Sequence, residues 1–177
     1  MTQSFLESLA ATKGSIAVTV VVPAKDEAPN LPILLDEIEA ALVGRSFEVI
    51  VVDDGSSDGS DIVLQDFAAT HDWLRPIRHE KSCGQSCSVR TGLQHALGDV
   101  VATIDGDGEN NPAYIPDLLD ALEKAGPSVA LAAGQRLGRK ASLAKRYASR
   151  FANKLRGAIL KDRTRDSGCG LKALRRD

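Results

Sequence analysis

Asp105 and Asp107 close the apolar run Val100-Val101-Ala102-Thr103-Ile104. Successive residues of a strand point to opposite faces, so carboxylates two apart aim the same way. Converging carboxylates at the exposed C-terminal end of a buried strand repel one another unless a cation sits between them, and hard oxygen donors select Mg²⁺ or Mn²⁺. That is the chemistry of a metal that holds a diphosphate. Asp and Gly also build turns, and Asp105-Gly106-Asp107 alone would serve as one. A second acidic cluster argues against a mere turn: Asp53-Asp54-Gly55-Ser56-Ser57-Asp58 follows the equally apolar Val49-Ile50-Val51-Val52. Ligands of open α/β sheets bind outside the carboxyl ends of the strands. Both clusters are therefore expected on one crevice, where a nucleotide would lie.

The elements that must position them alternate. Ile16–Val22 is a β-branched run ending at Pro23, followed by an amphipathic segment, Asn30–Leu42, with Leu31, Leu34, Leu35, Ile38 and Leu42 on one stripe. Glu48–Asp54 predicts a second strand, Asp58–Ala69 a helix, and Arg75–His79 a short third strand. Gln85–Leu97 predicts a helix stopped by Gly98, and Val100–Ile104 a fourth strand. Pro112–Leu122 predicts a helix with proline near its first turn, Ser128–Ala133 a fifth strand, and Ala141–Leu160 a long last helix. Continuous apolar strands alternating with helices imply an α/β fold, a mainly parallel sheet with helices on both faces.

At 177 residues, with 43% hydrophobic and 26% charged content, the chain reads as one globular domain at residues 16–177 behind an N-terminal extension at 1–15. The first residues lack the basic start and apolar core of a secretory signal. The longest apolar run, Ile16–Ala24, is too short to span a bilayer. Residues 134–177 hold 14 Lys or Arg against three acids, a net of +11 that leaves −13 on the remainder. An acidic, cation-binding part joined to a basic tail suits a metal-bound nucleotide meeting an anionic or membrane-resident partner. In the predicted last helix, Leu143, Tyr147, Phe151, Leu155 and Ile159 recur every four residues among basic neighbours. Such a helix packs its stripe on the sheet, lies on a membrane surface, or does both. Cys83, Cys87 and Cys169 lack CxxC spacing, and His71, His79 and His95 are scattered. The expectation is buried small thiols rather than a zinc site.

Val21-Val22-Pro23-Ala24-Lys25-Asp26-Glu27, Val51-Val52-Asp53-Asp54-Gly55-Ser56-Ser57-Asp58-Gly59, Gly84-Gln85-Ser86 and Asp105-Gly106-Asp107-Gly108 together resemble family 2 glycosyltransferases. More narrowly, the chain is similar to the dolichol-phosphate mannose synthase group and its bacterial polyprenyl-phosphate relatives. The resemblance implies a single Rossmann-like nucleotide-diphospho-sugar transferase domain of the glycosyltransferase A type. It implies a nucleotide-diphosphate sugar as donor, held by Pro23, Ala24, Glu27, Asp53, Asp54, Gln85, Asp105 and Gly106, with Asp53 reading the base. It implies Mg²⁺ or Mn²⁺ on Asp105 and Asp107. The family's fifth metal-motif position, a Gln, is Glu109 here, a third carboxylate for the cation that also raises local negative charge. It further implies that Arg136, Lys145, Arg146, Ser149 and Asp166 hold or frame an acceptor phosphate, with Arg136 joining Asp105 and Asp107 in catalysis.

The implied reaction is inverting transfer to a polyprenyl phosphate, dolichyl or undecaprenyl, at the cytoplasmic face of a membrane contacted peripherally, with no nucleic acid involved. A phosphate monoester is largely dianionic near neutral pH, so no general base is needed. Relatives continue beyond the equivalent of Asp177, so the expectation is a domain lacking their C-terminal acceptor-side extension. The alternatives are a degenerate or truncated transferase kept as a nucleotide-binding or scaffold protein, and a family 2 transferase with another acceptor. A nucleotidyltransferase would open with a Gly-rich phosphate loop where Pro23-Ala24-Lys25-Asp26-Glu27 stands, GxGxxG and GxxxxGK[ST] are absent, and a phospho-receiver has no use for Asp107 or the basic tail.

Overall fold

The structure is a computed structural model that describes residues 16–135 and 169–176. Within them the strands are β1 (Val18–Ala24), β2 (Phe47–Asp53), β3 (Leu74–Arg78), β4 (Val100–Thr103), β5 (Leu131–Ala133) and β6 (Lys172–Arg175), and the helices α1 (Leu31–Ala41), α2 (Ser60–Ala68), α3 (Gln85–His95) and α4 (Ile115–Lys124). They form one sheet in the order β3-β2-β1-β4-β6-β5. β1 to β4 are mutually parallel, and β6 runs antiparallel to both β4 and β5. The chain steps outward from β1 to β3 and then crosses to β4 on the other side of β1. The loops after β1 and β4 therefore part from each other, which is where an open α/β sheet presents its ligand crevice.

β1 is buried along its whole length and β2 along all but Phe47, as expected of strands covered on both faces. On one face Leu31, Leu34, Leu35 and Ile38 of α1 join Ile115 and Leu119 of α4 against Val20, Val22, Val49, Val51 and Ala102. Full burial of each such side chain stabilises by roughly 1.5–3 kcal/mol, so this layer anchors the strand ends. On the other face Val21, Ala96 and Val101 pack with Leu93 and Leu174. There α3 lies directly on β1, because Gly92 has no Cβ and one would overlap the Val21 side chain.

The structure departs from the periodicity at identifiable places. β1 runs through Pro23 to Ala24, because the pyrrolidine lies past the last β1–β4 pair, Val21 with Thr103, where the ladder has opened. α3 stops at His95, with Ala96 extended at ψ 136°, since the next two amides are wanted elsewhere. Leu97 N–H donates to Glu48 Oε1 at 2.7 Å and Gly98 N–H to Thr19 Oγ1 at 2.9 Å. Residues Pro112–Tyr114 form a 3₁₀ turn capped by Asn111, whose side chain accepts from Ala113 N–H, before α4 begins. β5 is only three residues long. β6 is the element that sequence periodicity missed: its alternation is too short to register, and its place between β4 and β5 is settled by long-range pairing. The predicted helix Ala141–Leu160 lies outside the described residues. No described helix is long and apolar enough to cross a membrane.

Candidate active site

The loops after β1 and β2 are stitched together by side chains of the acidic Ser/Asp cluster. Asp26 is a non-glycine residue at φ 56°, a left-handed conformation that persists only when its surroundings hold it. They do. Asp26 N–H donates to Ser56 Oγ at 2.8 Å, and Asp26 Oδ1 accepts from Ser57 N–H at 2.8 Å. Glu27 N–H donates to Ser60 Oγ, and Ala28 N–H to Asp58 Oδ2 at 2.8 Å. The Ser60 hydroxyl and the Ala28 amide hold the Asp58 carboxyl below its usual range. Glu27 Oε2 in turn accepts from Asn30 Nδ2 at 2.6 Å. Pro23 and Ala24 act through their carbonyls, which accept Gly106 N–H at 3.2 Å and Asp54 N–H at 2.9 Å. The strand-end loops of β1, β2 and β4 are thus tied to one another through the main chain.

Asp53 and Asp54 are both buried yet face different surroundings, as alternation along a strand requires. Asp53 Oδ1 accepts from Ser56 N–H at 2.9 Å. Its Oδ2 lies 3.2 Å from Arg78 Nη1, close enough for an ion pair, but no aligned hydrogen bond reaches it. A cavity of about 110 Å³ opens there, bordered by Asp53, Asp61, Leu64, Pro76, Ile77 and Arg78. Asp54 is fully engaged instead: Ser82 Oγ, Cys83 N–H, Gly84 N–H and His79 Nδ1 all bond it at 2.7–2.8 Å. Burial opposes its ionisation, but the donated bonds from Cys83, Ser82, His79 and Gly84 outweigh burial and hold the carboxyl well below the usual carboxylate range. Asp54 therefore organises the segment that delivers Gln85 to the start of α3.

Gln85 reaches the third cluster, where its Nε2 donates to Asp105 Oδ1 at 2.7 Å. Asp105 is half-buried, Asp107 and Glu109 exposed, and Asp107 Oδ1 accepts from Glu109 N–H at 2.9 Å. Gly170 completes the wall. An added Cβ there would fall on the Asp105 carboxylate, closer than the 3.0 Å below which real Cβ contacts essentially do not occur. The Gly170 carbonyl is fixed by Thr103 Oγ1 at 2.7 Å. Hard carboxylates at a strand end, with a glycine leaving the space beside one of them, are a donor set that fits a hard divalent cation.

Among the residues expected from sequence, Pro23 and Ala24 end β1, Asp53 ends β2, Gln85 opens α3, and Glu27, Asp54, Asp105, Gly106, Asp107 and Glu109 lie on the loops at that end of the sheet. Arg136, Lys145, Arg146, Ser149 and Asp166 lie outside the described residues. Sequence reasoning missed the packing of Gly170 on Asp105, the role of Thr103 and the Ser82–Gly84 donors. Gly84-Gln85 was the available signal for the last of these, whereas nothing local marks a glycine 65 residues beyond the aspartate it packs on. The reading of the cysteines needs correction. Cys169 is buried, but Cys83 is exposed and Cys87 half-buried, because both sit on the outward side of the α3 start. The histidines are not all remote: a ring nitrogen of His79 and the sulfurs of Cys83 and Cys87 lie within 4.8 Å of one another.

A mainly parallel sheet with helices on both faces and carboxylates gathered at the strand ends beside the switch point is an open α/β domain of the Rossmann-like class. The family model for Glycosyl transferase family 2 matches residues 19–177, and the chain belongs to that family. It is 35% identical over 162 residues to an undecaprenyl-phosphate 4-deoxy-4-formamido-L-arabinose transferase of Pectobacterium carotovorum, covering 90% of this chain and 49% of that protein. The corresponding protein of Shewanella sediminis is 34% identical, with 90% and 48% covered. The chain thus spans about half the length of the curated relatives it matches. Among solved structures it is similar to a mannosyltransferase of Pyrobaculum calidifontis in complex with GDP-Man and Mn²⁺, with TM-score 0.67, 28% identity, and 89% of this chain and 44% of that one covered. The fold is shared with glucosyl-3-phosphoglycerate synthase of Mycobacterium tuberculosis, with TM-score 0.69 and 22% identity over 97% of this chain and 60% of that one.

Proposed function

We propose that this chain carries a metal-dependent, inverting glycosyltransferase site that moves a sugar from a nucleotide-diphosphate donor to a polyprenyl phosphate. The observation that carries the reading is the linkage of Asp54, through Gly84 and Gln85, to Asp105 just past β4, across the switch point. The relatives' named acceptor is undecaprenyl phosphate, and the Pyrobaculum neighbour holds a nucleotide sugar with Mn²⁺. Mg²⁺ or Mn²⁺ would be held by Asp105 and Asp107, with Glu109 beside them, and when bound it supplies charge stabilisation at a leaving diphosphate.

The chain's own residues do the rest. Asp53 Oδ2, a buried oxygen short of a hydrogen bond beside a cavity, is suited to accept an N–H from the base, as uracil and guanine both offer. Gln85 holds the Asp105 carboxylate in one orientation. The acceptor's phosphate oxygen attacks the anomeric carbon, the bond to the diphosphate breaks on the opposite side, and the nucleoside diphosphate leaves. The dianionic acceptor needs no base, so catalysis is positioning and electrostatics. Arg136, Lys145, Arg146 and Ser149 are assigned to the acceptor phosphate, where guanidinium forks and a hydroxyl suit a monoester, and Asp166 to orienting them. This acceptor implies peripheral contact with a membrane surface.

The test is calorimetric titration with UDP and GDP, each with and without Mn²⁺, followed by transfer of labelled sugar to undecaprenyl phosphate. Metal-dependent binding of one nucleotide, lost in Asp105→Asn, is expected. Nucleotide binding that ignores both Mn²⁺ and this substitution would overturn the assignment.

A further inference from the structure

The cysteines at the start of α3 are unused by the proposed transfer, yet they sit where a second cation would find ligands. Cys83 lies just before the helix and Cys87 in its first turn. His79, at the end of β3, comes to both across the intervening loop, so that one nitrogen and two sulfurs lie within 4.8 Å of one another. A tetrahedral Zn²⁺ site, with Zn–S near 2.3 Å and Zn–N near 2.0 Å, needs ligand atoms roughly 3.5–3.8 Å apart. Closing the remaining gap takes at most about 1 Å, within the reach of side-chain rotation.

A second, independent observation concerns the histidine. Its Nδ1 lies 2.8 Å from Asp54 Oδ1, and an ionised carboxylate only accepts, so Nδ1 carries the proton. In the tautomer with the proton on Nδ1 the lone pair is at Nε2, where the present partner is the Thr91 hydroxyl at 2.9 Å. A carboxylate behind a histidine is the arrangement that orients metal-binding imidazoles. Cys83 is exposed, and His79 and Cys87 are half-buried, so an ion has an entry path.

We propose that His79, Cys83 and Cys87, with Asp54 behind the histidine, form a binding site for one thiophilic tetrahedral cation of the Zn²⁺ class, its fourth position open to water. Two thiolates and an imidazole are soft to borderline donors, whereas Asp105 and Asp107 are hard. The protein thus carries two cation sites of opposite preference. They are joined, because Asp54 accepts from both His79 and Gly84 N–H, and the next residue, Gln85, donates to Asp105. A cation on the thiols fixes the segment that carries Gln85.

The experiment uses the whole chain, reduced with a non-thiol phosphine and freed of metal. Zn²⁺ is titrated in competition with a chromophoric chelator, and Co²⁺ is added separately to read the thiolate-to-cobalt charge-transfer band. The parent is expected to bind one Zn²⁺ at this site with release of about two protons, one from each thiol. C83S/C87S should weaken that binding by about 100-fold or more and abolish the cobalt band, and H79A should weaken it by about 10-fold or more. D105N should leave the band intact. Thermal melts of each variant verify folding, and because Cys83 is exposed and Cys87 only half-buried the serine pair is expected to melt near the parent. Absence of the band in the reduced parent, or Zn²⁺ binding unchanged in folded C83S/C87S, overturns the proposal.

Discussion

Replacing Gly170 by alanine tests the site from its most constrained point. A Cβ at residue 170 would come within 3.0 Å of Asp105 Cγ, Oδ1 and Oδ2 alike, so no small rotation of the carboxylate avoids it. The backbone cannot readily retreat either, since Thr103 Oγ1 holds the Gly170 carbonyl at 2.7 Å and Thr103 is in register with Lys172. Overpacking of this kind costs about 1–3 kcal/mol, which for a domain of this size lowers Tm by about 2–12 °C. The functional loss should be larger in proportion. A carboxylate displaced by about 1 Å from its place can cost a factor of about 100, so Mn²⁺-dependent nucleotide affinity should fall by about that much. Gly108→Ala is the control: it lies at φ 71° with nothing within 4 Å of its Cβ. It should cost about 1 kcal/mol of conformational strain and leave metal-dependent binding near the parent value. Calorimetry with nucleotide and Mn²⁺, beside thermal melts of both variants, reads the two effects separately. A Gly170→Ala protein that binds as tightly as the parent would refute the placement of Asp105 against β6 or its role as a ligand.

Three further predictions rest on other contacts. Gln85→Ala removes the 2.7 Å bond to Asp105 from an exposed residue. It should change stability by less than about 0.5 kcal/mol and weaken Mn²⁺-dependent nucleotide binding by about 3–10-fold, equivalent to about 1 kcal/mol for one hydrogen bond. Glu48 is buried inside β2 and accepts from Thr19 Oγ1, Leu97 N–H and the guanidinium of Arg75. Glu48→Ala should destabilise by about 2–3 kcal/mol in urea titrations, mostly from the buried donors it leaves unpaired, because half-exposed Arg75 can return to water. Asp54 gives a pH dependence. Its carboxyl is held down in the folded state, so its stabilisation is present above the ordinary carboxylate value and disappears as pH falls through that range toward the folded value. Urea midpoints measured from pH 7 down to pH 3 should therefore decline more steeply for the parent than for Asp54→Asn, and parallel curves would refute this.

Much of the architecture was legible because it is written locally. β1, β2 and β4 are runs of β-branched and small apolar residues, and α1 carries its buried stripe at helical spacing, so hydrophobic periodicity alone implied a parallel, doubly covered sheet. The position of the carboxylates was legible too, since Asp105 and Asp107 follow a buried strand, but both lie past the end of β4, in a turn where strand alternation no longer sets their direction. What the sequence could not determine depends on contacts between distant segments. Asp53 and Asp54 look equivalent as neighbours, yet one pairs with Arg78 beside a cavity and the other gathers four donors from His79 to Gly84. Cys83 and Cys87 looked like buried thiols without a third ligand until the β3–α3 loop brought His79 to them. β6 is four residues with no usable period, and only pairing with β4 and β5 makes it a strand and sets Gly170 against Asp105. Local hydrophobic pattern determines which segments become strands and helices, because burial acts on each segment's own period. Tertiary structure alone decides which carboxylate faces which partner, because that follows from long-range register, which no short window of sequence contains.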